Sequence, residues 1–130
     1  GRRSSGAKPV GWKAGVQDDG DVARAKDVLK TLGKYYPGAT EYEVAGFLWW
    51  QGDKDRYNAG HASKYEKNLN NLITALRKDF NAPKAKFVCA TLGQTSKENA
   101  KGNEKLILDA MFAISDATKY PALKGDVATV

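Results

Sequence analysis

Val44-Ala45-Gly46-Phe47-Leu48-Trp49-Trp50 is followed at once by Gln51-Gly52-Asp53-Lys54-Asp55, and the fold turns on this junction. The first seven residues carry no polar side chain except the indole N–H groups. A strand apolar on both faces belongs inside a parallel sheet covered on both sides. The polar run from Gln51 ends it abruptly. On the amino side, Val22, Ala25, Leu29, Leu32 and Tyr36 follow one another at spacings of 3, 4, 3 and 4. That spacing predicts a helix from about Asp19 to Tyr35, stopped by Pro37-Gly38. On the carboxyl side a second helix is predicted from about Ala62 to Phe80. Its stripe is Tyr65, Leu69, Leu72, Ile73, Leu76 and Phe80. Ser63 and Glu66 have capping-box spacing, and Asn81 and Pro83 supply the stop.

Further on, Lys86 to Leu92 reads as a strand closed by Gly93. A third helix is expected from about Asn103 to Lys119, with Leu106, Ile107, Ala110, Met111, Ile114 and Ala117 inward. Asp126 to Val130 reads as the start of a third strand. Strands alternating with helices give an α/β domain with a parallel sheet and right-handed crossovers. Residues 1–16 read as a loop or frayed terminus. Residues 17–130 read as the central part of a single α/β domain.

Composition narrows the possibilities. The chain of 130 residues is 42% hydrophobic and 28% charged, which are globular proportions. No run of 18 apolar residues exists, so no membrane span is expected. One cysteine, Cys89, excludes a disulfide framework and any multi-cysteine zinc site. The net charge is +6, but the lysines are spread from Lys8 to Lys124 with acids between them. No basic stripe forms, so nucleic acid is not an expected partner. No metal site and no cofactor motif is read.

In an open α/β sheet, ligands bind beyond the carboxyl ends of the strands. Gln51 stands there, just past a rigid strand. The segment reads either as a turn capped by polar side chains or as a donor of an amide hydrogen bond to an oxyanion. Gly52 lets backbone approach a ligand closely. His61, the only histidine, stands at the same edge. A helix-start residue, a substrate contact or a general base would each stand there. No serine has a natural place beside it. Trp50 is nearest the edge and can face a sugar ring. Gly93-Gln94-Thr95-Ser96 reads as a polar loop, and Cys89 as a buried small hydrophobe.

The stretch Gly46-Phe47-Leu48-Trp49-Trp50-Gln51-Gly52-Asp53-Lys54-Asp55 resembles the signature of the sialate O-acetylesterase-like carbohydrate esterases, a branch of the SGNH hydrolases. That family reads Trp-x-Gln-Gly-Glu-x-Asp here. Tyr65-Glu66-x-Asn68-Leu69, Leu72-Ile73-x-x-Leu76-Arg77, Ala82-Pro83 and Leu92-Gly93 extend the resemblance. It implies a flavodoxin-like three-layer α/β/α fold and hydrolysis of acetyl esters on sugars. By position it makes Gln51 the oxyanion donor, with Gly52, Asp53, Asp55, Trp50 and His61 on the substrate side. Asp53 stands where the family has glutamate. It further implies an acetylated carbohydrate as partner, no cofactor, and a periplasmic or extracellular location. The family's Gly-Gln-Ser-Asn nucleophile segment and its Asp-x-x-His do not occur in the sequence. The expectation is therefore a piece truncated at both ends, lacking the catalytic serine and histidine of the intact esterase. The alternative is a non-catalytic carbohydrate-binding or degenerate domain of the same fold. Neither reading fixes the oligomeric state.

Overall fold

A computed structural model describes residues 16–94 and 96–130, so nearly all of the expected loop at 1–16 lies outside the described residues. Helix α1 spans Val16–Lys30 and α2 spans Leu32–Tyr35. Sequence periodicity predicts one helix here, and Thr31 divides it. The Thr31 hydroxyl donates to the Asp27 carbonyl at 2.8 Å, competing with the backbone for that acceptor. Tyr36, expected on the buried stripe, is exposed.

Strand β1 covers Gly46–Trp49, β2 covers Lys86–Cys89 and β3 covers Val127–Thr129. All pair in parallel, in the order β1-β2-β3, with Phe47 opposite Phe87 and Phe87 opposite Val127. Between β1 and β2 run a short α3 (Ala59–Ala62) and a longer α4 (Tyr65–Asp79). Helix α5 (Gly102–Ala113) links β2 to β3.

The expected capping box does not form. Ser63 is consumed as the C-cap of α3, so the α4 N-cap falls one residue later, on Lys64. Ser63 donates to the Gly60 carbonyl instead. Glu66 turns away to accept from Lys119 and Tyr120. Helix α5 ends short of the predicted Lys119. Ser115 donates back to the Phe112 carbonyl, and the Asp116 carboxylate accepts from the Thr118 amide, closing a turn that competes with helix. Ala117 and Leu106, expected inward, are exposed as a result of the early stop and of the face α5 presents.

The core has one side. Phe87, Cys89 and Val127 from the sheet meet Leu69, Leu72 and Ile73 of α4. Ile107, Leu108 and Met111 of α5 and Ile114 just beyond it complete the cluster. Consecutive strand order makes both right-handed crossovers step the same way, which lays α4 and α5 on the same face. The expectation of β1 covered on both faces therefore fails among the described residues. Leu48 is 87% exposed, and Val130 is 69% exposed on β3's side of the sheet. Phe47 and Trp49, on the other parity, pack against the core. The α/β class and the parallel sheet stand.

Candidate active site

The carboxyl ends of β1 and β2 open into two loops, and side chains tie the loops together. Asp53 accepts from Gln94 Nε2 at 3.1 Å and from Arg56 Nε at 2.9 Å. Asn103, at the start of α5, donates to the Arg56 carbonyl at 3.0 Å. The first loop is thus braced from β2 and from α5, not held by β1 alone.

Gly52 is where the chain turns. Its φ is +138°, in a region L-residues rarely adopt. A Cβ there would lie 3.0 Å from Met111 Cε, 3.1 Å from Ile107 Cγ2 and 3.1 Å from the Tyr65 hydroxyl. Close approach is required here by the protein's own core, from below the loop. A single 3-10 turn over Asp55–Tyr57 follows. Asn58 then caps α3, its side chain accepting from the His61 amide.

The polar side chains of Gln51, Asp55, His61 and Tyr65 meet under this turn, with the Trp49 indole beside them. Gln51 Nε2 donates to Asp55 Oδ2. The Tyr65 hydroxyl donates to the Gln51 carbonyl at 2.5 Å, with Gln51 Oε1 at 3.3 Å, and accepts from Trp49 Nε1 at 3.4 Å. His61 Nδ1 stands 3.7 Å from Asp55 Oδ1. Among the described residues Asp55 is the one charged residue in the buried set, at 9% exposure. Beside the cluster lies a cavity of about 30 Å3, lined by Trp49, Gln51, Asp55, Tyr65, Asn68 and neighbouring leucines. That is room for one water. Asn68 Oδ1 is buried there with no protein partner.

The sequence-named residues divide. Gln51, Gly52, Asp55 and His61 come together. Asp53 lies on the exposed rim of the same loop, and Trp50 is 77% exposed beside it. Sequence reading missed Tyr65 and Asn68 as site residues. Tyr65 stood in the α4 stripe and, with Asn68, in the resembling stretch but without a role in the site, though a buried tyrosine hydroxyl needs a partner. Gln94 was visible only as loop. Ser96 is exposed and accepts from Asn99 at 3.0 Å. Among the described residues no group of three His, Cys, Asp or Glu could hold a metal ion. Nor, among the described residues, is any helix long and apolar enough to cross a membrane.

A parallel sheet with helices, and loops at its carboxyl edge, fits an α/β domain of the SGNH type. The family model "carbohydrate esterase, sialic acid-specific acetylesterase" matches residues 12–125, and the chain belongs to that family. Comparison with curated proteins and with solved structures gave no significant match.

Proposed function

We propose that this chain supplies the oxyanion side of a serine-dependent carbohydrate O-acetylesterase. A serine hydroxyl attacks the acetyl carbonyl, and the carbonyl oxygen becomes an oxyanion. The Gln51 amide donates a hydrogen bond to it. The intermediate collapses, the sugar leaves as an alcohol, and water releases acetate from the acyl-serine. In this reading the serine and its histidine come from segments outside residues 1–130. Trp50 offers its indole face to the sugar ring, and the Asp53 rim and the Asp55–His61 side of the loop flank it. The observation that carries the reading is the Gln51 side chain, held at the carboxyl edge beside an exposed tryptophan.

The test is acetate release from an O-acetylated sialic acid by the product of the complete reading frame. Gln51→Ala is expected to lower kcat by roughly 10²–10³ with little change in KM. An unchanged kcat removes the oxyanion role. Binding of the acetylated sugar without any acetate release by the unmutated protein would favour a non-catalytic carbohydrate-binding domain instead.

A further inference from the structure

A glutamine amide is two-faced. One end donates, the other accepts, and the two are nearly equal in shape. An oxyanion donor is useful only in one sense, because the reversed amide would set its carbonyl oxygen against the developing negative charge. Nothing in the covalent structure of Gln51 selects that sense.

We propose that Asp55 is the positioning residue that selects it, while Tyr65 fixes the Gln51 backbone. An ionised carboxylate only accepts, so Asp55 Oδ2 fixes the NH2 end of Gln51 on its own side. One amide hydrogen is then committed to Asp55, and the second remains for an acceptor in the cleft. Tyr65 holds the same residue by its backbone. Its hydroxyl spends its one hydrogen on the Gln51 backbone carbonyl at 2.5 Å, and its oxygen stands 3.3 Å from Oε1. Trp49 Nε1 donates to the hydroxyl oxygen at 3.4 Å, which leaves the hydroxyl's own hydrogen for Gln51. His61 Nδ1 borders the other carboxylate oxygen and limits how the carboxylate can turn. The inference rests on Gln51 as oxyanion donor and reassigns Asp55 from substrate contact to support.

The decisive measurement is NMR on the product of the complete reading frame labelled with 15N and 13C. In the unmutated chain one Gln51 side-chain amide proton is expected downfield and slow to exchange with water. Asp55→Asn can offer either end of its own amide to Gln51. It should abolish the downfield displacement and speed exchange by about tenfold or more, the loss of one charge-assisted hydrogen bond. Tyr65→Phe should leave the side-chain signature and move the Gln51 carbonyl carbon and the Gly52 amide nitrogen. Unchanged backbone resonances in β2 and α5 certify the fold of each variant. If Asp55→Asn fails to fold, the unmutated spectrum still decides, because a Gln51 amide in fast exchange at ordinary shifts overturns the proposal. An Asp55→Asn chain that folds and keeps the slow, downfield proton overturns it too. These readouts are independent of turnover. A clamp present by NMR together with a kcat indifferent to Gln51→Ala removes the oxyanion reading, and the positioning role with it.

Discussion

Gly52 shows how much one residue can decide. Its positive φ and the three atoms crowding its missing Cβ make it the only residue type that fits. Gly52→Ala combines backbone strain with overpacking against Met111 and Ile107. A loss of about 1–3 kcal/mol is expected from urea unfolding. A variant as stable as the parent would mean that the loop relaxes away from the core. Trp50 is the opposite case. With 77% of its surface exposed, Trp50→Ala should change stability by no more than about 0.5 kcal/mol, while raising KM for an acetylated sugar. A variant with the parent's KM would leave the indole without a role in binding. Gln51, Gly52 and Asp55 were legible as a group in the sequence because one short loop holds them. Tyr65 was not legible, because it comes 14 positions after Gln51 on another element. Only the packing of α4 under the loop brings its hydroxyl there.

Among the elements, the clasp between α4 and the segment after α5 has measurable consequences. Glu66 accepts from the Tyr120 hydroxyl at 2.6 Å and pairs with Lys119 at 2.7 Å. Burial alone would raise the Glu66 carboxyl, but the hydrogen bonds from Lys119 and Tyr120 outweigh it and hold the group below its ordinary value of 4.5. The folded carboxyl is therefore the stronger acid. Its contribution is present above the ordinary carboxylate range and is lost as pH falls through the lowered value. Burial, then the Glu66 hydrogen bond, pushes Tyr120 up from 10.0 to about 12. That contribution is intact below 10 and is lost as pH rises toward about 12. Glu66→Gln should flatten the acid-side fall of the urea midpoint and bring the tyrosine titration lower. An acid limb identical to the parent's would show that the clasp carries no weight. The same clasp explains a misreading of the sequence. Ser63 and Glu66 have capping-box spacing, but α3 claims the serine and the clasp claims the glutamate. Local patterns lose when a tertiary partner offers a stronger bond.

At the scale of the whole molecule, the described residues form a sheet with one packed face. Cys89 sits at the centre of that face, fully buried, and burial pushes its thiol up to about 12. It should resist thiol reagents in the native state and react only on global opening. Its labelling rate across a urea series should track the unfolding transition seen by circular dichroism. Labelling that runs well ahead of unfolding would reveal an opening local to β2. The sequence by itself determined the alternation of strands and helices, the parallel sheet, the inward stripe of α4 and the polar loop at the carboxyl edge. Periodicity and turn residues are local properties, and they survive without knowledge of neighbours. The tertiary structure alone decided that β1 is covered on one face among the described residues, that α5 stops at Ala113, and that Tyr65, Asp55 and Gln51 form a single hydrogen-bonded unit. Those outcomes depend on which way the crossovers step and on which distant donor reaches which acceptor, and no window of adjacent residues contains that information.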